Sequence, residues 1–300
     1  MHRNAPRPAS TTRRALLGTG AAMGIAALSL WPDARLFAQQ LGDFIEGPPM
    51  PDIAPQQLSK HVWLIYATDG FPTPENRGMM ASVIFVVTSA GVVVLDSGSS
   101  LQIGQMAIRM IKKVTPLPVV AVFNSHYHGD HINGVRNKAG QLVFPKAKIM
   151  VPAPEHAFWM DDARMNAAPP AMKGAFENVR RVLASVPADQ LVRFEPGAEV
   201  APGITSVAAF GHTPGHTLFT VKSEGQSFAY VADLTNVPSL FARSPDWSVT
   251  FDMDKEMARA TRRKMFDMVV QEKLMAGGYH FPFPAFGGIE VAGSGYQFFQ

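Results

Sequence analysis

His126-Tyr127-His128-Gly129-Asp130-His131 places four metal-competent side chains within six residues, directly after the apolar run Pro118–Phe123. A lone histidine is usually a hydrogen-bonded structural residue, but that explanation does not cover four candidates in one His-X-His-X-Asp-His run. The cluster cannot turn every member towards one ion, but it can serve two. His126 and His128 are two residues apart, so in extended backbone they project to the same side. Asp130 and His131 lie beyond Gly129, whose missing side chain permits a sharp turn. Three more candidates follow: His216 in Gly-His-Thr-Pro-Gly-His-Thr, Asp233 in Val-Ala-Asp, and His280 in Tyr-His-Phe-Pro-Phe-Pro. Five imidazoles and two carboxylates make a nitrogen–oxygen ligand set that suits zinc and also admits iron or manganese.

Outward from this cluster the chain reads as short apolar runs separated by turn residues. His61–Tyr66, Ser82–Thr88 and Gly91–Leu95 have strand character, the last two joined by Ser89-Ala90 in a tight turn. Gln102–Lys113 has helical spacing and leads into the strand Pro118–Phe123, at whose end the cluster sits. Lys148–Val151 is a further strand, and residues 154–185 read as helical with a break at Pro169-Pro170. The second half repeats the rhythm: strands at Leu191–Phe194, Ile204–Phe210, Leu218–Lys222 and Phe228–Ala232, a helix over Lys255–Lys273, and closing strands at Gly277–His280 and Gly295–Phe299. Two strand sets, each with flanking helices, predict an α/β sandwich with its ligands on loops at one edge. No sequence repeat relates the halves.

With 300 residues and 47% hydrophobic content the chain can bury a large core. Its net charge is only +3, and no basic stripe with interleaved aromatics occurs, which argues against nucleic-acid binding. The absence of cysteine excludes disulfides, thiolate ligands and a thiol nucleophile. Residues 1–38 read as an export signal: Arg13-Arg14 precede a mildly apolar Ala/Gly-rich stretch over Ala15–Leu30, and Leu36-Phe37-Ala38 offers a small residue at a cleavage position. That stretch is short of the roughly 20 residues a membrane span needs, so stable membrane insertion is not expected. The twin-arginine route, which carries folded proteins, implies a bacterial periplasmic or secreted location. Gly47-Pro48-Pro49-Met50-Pro51 then reads as an extended arm.

Taken in order, the turn Leu95-Asp96-Ser97-Gly98, the His126–His131 run, the Gly-His-Thr-Pro-Gly-His216-Thr motif, Val-Ala-Asp233 and His280 resemble the metallo-β-lactamase superfamily. The resemblance implies an αββα sandwich over residues 39–300, with a helical insertion near 154–185. It assigns His126, His128 and His216 to one divalent ion and Asp130, His131 and His280 to a second, zinc being the expected metal, with Asp233 bridging both. Asp96 would brace the ligand loop from behind, and His212, four residues before His216, would play a similar supporting part. A carboxylate at 233 is similar to the bridged hydrolases: thioesterases, acyl-homoserine lactonases and methyl parathion hydrolase-like enzymes. The last 70 or so residues most resemble the last group, except that Asn236 stands where that group often has His.

Such a centre would act as a dinuclear zinc hydrolase of lactones, esters or phosphotriesters, with a shared hydroxide as nucleophile. Asp233 and Asp130 would be its catalytic carboxylates, the second orienting the nucleophile. No Gly-X-Ser-X-Gly suggests a serine nucleophile. Two other readings share these motifs: a mononuclear iron oxidoreductase like the persulfide dioxygenases, and an exported metal-binding accessory protein of sulfur or quinoprotein metabolism. Phe71, Phe158, Trp159 and Phe281 are the candidate pocket residues and point to a small apolar substrate, since no Arg cluster for a polyanion is visible. A homodimer is compatible with the sequence.

Overall fold

Residues alternate along the central strands between two separate cores, and that alternation sets the architecture. In the computed structural model, which describes residues 47–300 apart from 69–70, 137–140 and 185, Ile84, Val86, Val93 and Leu95 face one core while Val83, Phe85, Val92 and Val94 face the other. A strand with both faces covered must be apolar throughout, and β3 (Val83–Thr88) and β4 (Gly91–Leu95) are nearly so. The expected export signal over residues 1–38 lies outside the described residues.

The first sheet runs β1 (Gln56–Gln57), β2 (Val62–Ile65), β3, β4, β5 (Val119–Phe123), β6 (Lys148–Pro152), β7 (Leu191–Phe194) in spatial order. It is antiparallel from β1 to β4 and parallel from β4 to β7. The parallel steps need crossovers. The first is α1 (Leu101–Val114), capped by the Ser100 hydroxyl accepting from the Ile103 amide and carrying Lys112 and Lys113 against the negative end of its dipole. Another crossover, between β6 and β7, is built from α3 (Ala153–Trp159), α4 (Asp162–Ala167) and α5 (Pro170–Leu183), where a short α2 (Gly129–Ile132) has already followed β5. Pro170 opens α5, where its missing amide hydrogen costs nothing.

The second sheet has the order β14 (Gly295–Phe299), β13 (Phe286–Ala292), β12 (Met275–Gly277), β11 (Gln226–Tyr230), β10 (Thr217–Ser223), β9 (Ile204–Ala208), β8 (Glu199–Ala201). It is antiparallel except for β11 with β12, and α7 (Lys255–Gln271) makes that crossover; a short α6 (Pro238–Phe241) precedes it. Between the sheets lie Phe123, Phe194, Phe219 and Tyr230, with Phe123 and Phe219 ring centroids 5.3 Å apart. Met265, Phe266 and Val269 of α7 join this core, whereas Ile103, Met106 and Met110 of α1 and Phe176 and Val179 of α5 close the outer face of the first sheet. The layers are helix, sheet, sheet, helix: an αββα sandwich.

One sequence expectation needs correction. The closing strand expected over Gly277–His280 is Met275–Gly277, and residues 278–280 turn away from it. A residue in the ladder is committed to alternate faces of the sheet, so His280 can reach the loop edge only by leaving it. Gly129 opens α2, with His128 in extended backbone just before it. Among the described residues, no helix is long and apolar enough to cross a membrane. Phe219→Ala, which empties the space between the sheets, is expected to lower stability by about 3–5 kcal/mol, read from denaturant unfolding; a loss below about 1 kcal/mol would mean that the sheets do not depend on this contact.

Candidate metal centre

Every candidate ligand stands on a segment leaving the carboxyl end of a strand: His126 to His131 after β5, His212 after β9, Asp233 after β11 and His280 after β12. They converge as two clusters that share one residue. His126, His128, His212 and Asp233 form the first; Asp130, His131, Asp233 and His280 form the second; within each, the candidate ligand atoms all lie within 4.8 Å of one another. In the first, His126 Nε2 and His212 Nε2 stand 3.0 and 3.1 Å from His128 Nδ1, and Asp233 Oδ2 is 3.4 Å from His212 Nε2 and 3.9 Å from His126 Nε2. In the second, His280 Nε2 is 3.2 Å from Asp130 Oδ2 and 3.5 Å from Asp233 Oδ1, while His131 Nε2 is 3.6 and 3.3 Å from the same two oxygens. Ligands about 2.0–2.1 Å from a tetrahedral zinc are separated by about 3.3 Å, so both clusters are close to the size of one ion.

The donor chemistry fits as well. Four of the five imidazoles have the far nitrogen committed, which leaves the near one for a cation. His131 Nδ1 donates to Asp96 Oδ2 at 2.8 Å, His212 Nδ1 to Asp252 Oδ1 at 3.0 Å, His280 Nδ1 to the Met80 carbonyl at 3.2 Å and His126 Nδ1 to the Ser125 hydroxyl at 3.0 Å. His131 Nε2 and Asp233 Oδ1 are buried without a hydrogen-bond partner. A buried polar atom without a partner is costly, and a divalent ion in the second cluster would satisfy both.

His216 does not join them. Its Nδ1 donates to the Ala209 carbonyl at 2.9 Å and its Nε2 accepts the Asp233 amide at 3.2 Å, so both nitrogens are spent. The expectation that His216 ligates and His212 supports is therefore reversed: His212 points into the first cluster, and His216 holds the backbone of the shared carboxylate. Asp96 braces the ligand loop. It accepts from the Ser125 amide and hydroxyl, the Tyr230 hydroxyl and His131, at a backbone φ of +60°, a conformation Asp tolerates better than most residues. Ala232, at φ +44°, gives the sharp exit from β11 that turns Asp233 inward.

Glu155 was not anticipated. It is wholly buried and accepts four hydrogen bonds, from the Tyr127 amide, the Trp159 indole, the Thr213 hydroxyl and the Gly215 amide. Burial pushes its pKa up, against the pull of those donors. It ties the His126–His131 loop to the His212 loop, and its own backbone lies so close to the latter that a side-chain carbon at Gly215 would come within 2.2 Å of the Glu155 amide nitrogen. The one sequence signal was the helical i, i+4 spacing of Glu155 and Trp159. Asp252 also went unassigned and has no local signature.

Trp159 and Phe158 are corrected. Trp159 is 1% exposed, packed on Phe176 and hydrogen-bonded to Glu155, and Phe158 leans on Trp159 and Phe176 beneath Arg164. Both belong to the core under the insertion, since the indole N–H finds its partner there. Phe71 is exposed, and its carbonyl accepts from Asn76. Phe281 lines a cavity of about 210 Å³ beside His280, together with Tyr66, Met80, Asn236 and Val237. Apart from His280, its lining holds no carboxylate, Lys or Arg; its walls are apolar, hydroxyl or amide.

The sequence model of the metallo-beta-lactamase superfamily matches residues 76–270, which span both clusters up to Asp233. The chain belongs to the metallo-β-lactamase superfamily. Solved structures agree on the fold. AidC, a dizinc quorum-quenching lactonase in complex with a homoserine product, superposes with a TM-score of 0.70 at 22% identity, covering 84% of this chain and 98% of AidC. The hydrolase AbOPH of the beta-lactamase superfamily gives 0.69 at 20% identity, with 84% and 98% coverage. A probable metal-dependent hydrolase from Staphylococcus aureus gives 0.56 at 18% identity, with 78% and 91% coverage. No curated protein matches the chain by sequence.

Electrostatically the imidazoles fall into two groups. Burial holds His126 well below the usual imidazole range and His128 and His216 at about 3, neighbouring imidazoles adding to the effect. Burial acts the same way on His131, His212 and His280, but carboxylates outweigh it. Asp96, Asp233 and Asp130 raise His131 well above its ordinary value; Asp233 and Asp252 raise His212 to about 9; Asp233 and Asp130 raise His280 to about 10. Burial opposes ionisation of Asp130, yet His131 and His280 bring it down to about 2. In the metal-free protein at pH 7 the raised imidazoles thus carry protons that must leave before those nitrogens ligate. Zinc uptake is expected to release protons, and affinity to fall as pH falls; calorimetry in buffers of different ionisation enthalpy should show the release, and uptake with no net proton change would contradict it. His212→Ala should weaken metal binding at least about tenfold more than His216→Ala, in competition with a chelator; the reverse order would restore His216 as the ligand.

Proposed function

We propose that the protein is a dinuclear metal-dependent hydrolase, with zinc the expected metal, acting on neutral apolar lactones and esters and more weakly on phosphotriesters. The observation that carries this reading is the division of Asp233: Oδ2 lies in one histidine cluster and Oδ1, otherwise partnerless, lies in the other. His126, His128 and His212 would hold one ion, Asp130, His131 and His280 the other, and Asp233 both. Two divalent ions so held supply a water of lowered pKa and polarise the carbonyl or phosphoryl oxygen of a substrate.

The chain's own residues do the rest. Asp130 is held from behind by its carbonyl, which accepts the Tyr279 hydroxyl at 2.6 Å, and this fixes its carboxylate opposite His280. With His131 and His280 beside it, Asp130 stays ionised over the whole working pH range and can orient an attacking water. The cavity beside His280 presents Tyr66, Met80, Val237 and Phe281 to the part of the substrate away from the reacting centre, and the Asn236 amide and Thr68 as its polar points. A pocket without Lys or Arg does not compensate a polyanion, so neutral substrates are favoured. The similarity in fold to a dizinc lactonase and to a hydrolase supports this choice of substrate class.

A hydrolysis screen of the zinc-loaded protein tests the reading. Apolar lactones or aryl esters should be turned over fastest, organophosphate triesters more slowly, and β-lactams least. A penicillin or carbapenem hydrolysed faster than every lactone and ester, or a polyanion strongly preferred over neutral substrates, would overturn it.

A further inference from the structure

Arg262 is the one guanidinium that the described structure buries almost completely, 2% exposed on the inner side of α7. Taking such a charge out of water is expensive, and replacing a buried ion pair by apolar residues is often neutral or stabilising. A fold that keeps one therefore invites the question of what the charge arranges. Its contacts answer it. Nε donates to the Leu234 carbonyl at 2.8 Å, Nη1 to the carbonyls of Pro245, at 2.9 Å, and Trp247, and Nη2 lies 3.5 Å from Asp252 Oδ2. The Phe241 ring covers the guanidinium at 4.9 Å.

Two of these contacts lead to the metal centre. Leu234 directly follows Asp233, the shared carboxylate. Asp252 pairs with Arg262 through one oxygen, which also accepts the Val249 amide, and accepts His212 Nδ1 on the other, and the segment it stands on is sewn to the His212 loop by backbone bonds from Met253 to His212 and from Asp254 to Gly211. We propose that Arg262 is a positioning residue for the metal centre, holding the Asp233 turn directly and His212 through Asp252, so that two ligands from separate loops keep one geometry. The inference rests on the two-ion reading given under Proposed function.

The wiring is unequal, and that makes it testable. Among the candidate ligands Asp252 touches only His212, so its loss should loosen one ion; Arg262 also holds the turn of the shared carboxylate, so its loss should loosen both. The full chain is loaded stepwise with Zn²⁺ against a chelator of known affinity, and with Co²⁺ to read the ligand-field absorption of each equivalent. Asp252→Asn is expected to weaken one equivalent by about 10–100-fold, leaving the cobalt spectrum of the other unchanged. Arg262→Lys, which keeps the charge but cannot span Leu234, the Pro245 and Trp247 carbonyls and Asp252 together, is expected to weaken both equivalents. Asp254→Ala removes the carboxylate that caps α7 at the Met257 amide and serves as the structural control: it should lower the thermal midpoint with both affinities kept. Folded Asp252→Asn protein that holds both equivalents as tightly as the parent, or loses both alike, overturns the proposal. Should Arg262→Lys fail to fold, the single-site result for Asp252→Asn decides. A parent protein that binds no second equivalent would instead overturn the two-ion reading itself.

Discussion

Everything at the loop edge of this sandwich depends on one carboxylate placed between two groups of imidazoles. Asp233 is nearly buried, with one oxygen in each cluster, and Asp130 adds a second negative charge a few ångströms away. Buried carboxylates without cations are among the most costly arrangements a protein can hold. Here the compensation comes from imidazoles that take up protons in the metal-free protein and that would hand the site over to divalent ions when these bind. That negative charge raises the pKa of His131, His212 and His280, and the imidazoles of His131 and His280 in turn hold Asp130 low against its burial.

Holding that arrangement in place requires a shell of polar residues as buried as the ligands. Asp96 fixes His131 and the start of the ligand loop, Glu155 locks that loop to the His212 loop, His216 pins the Asp233 amide, and Arg262 with Asp252 secures the far side. These residues come from distant parts of the chain, and most of their partners are backbone amides or carbonyls. The consequence is a centre whose ligands are positioned by hydrogen bonds, while apolar packing, exemplified by Phe123, Phe219 and Trp159, holds the strands and helices beneath them.

Much of the fold was legible because its signals are local. Gly91–Leu95, Leu191–Phe194 and Gly295–Phe299 begin and end where their apolar content and turn residues say, and Pro170 marks the start of α5. β8, β13 and α6 were not, because Glu199–Ala201 is short and half-buried, Phe286–Ala292 carries two glycines and an exposed outer half, and Pro238–Phe241 is a single turn. In the site, His126 to His131 could be read directly, since their density alone implies a metal. Phe158 and Trp159 could not be placed: aromatic residues at helical spacing look the same whether they face a pocket or a core, and only Phe176 and Glu155 across from them decide it.

The histidines at 212 and 216 show where sequence stops. Gly211-His212-Thr213 and Gly215-His216-Thr217 are the same tripeptide written twice, so nothing local distinguishes ligand from support. By itself the sequence determined that a metal cluster would follow a buried strand in an α/β sandwich, because residue type, spacing and the order of elements set those; the αββα layering was implied by the family resemblance. Which histidine faces the ions was decided by the tertiary structure alone. Asp252 draws one ring into the cluster, while the Ala209 carbonyl and the Asp233 amide occupy both nitrogens of the other, and those partners lie up to 40 residues away along the chain.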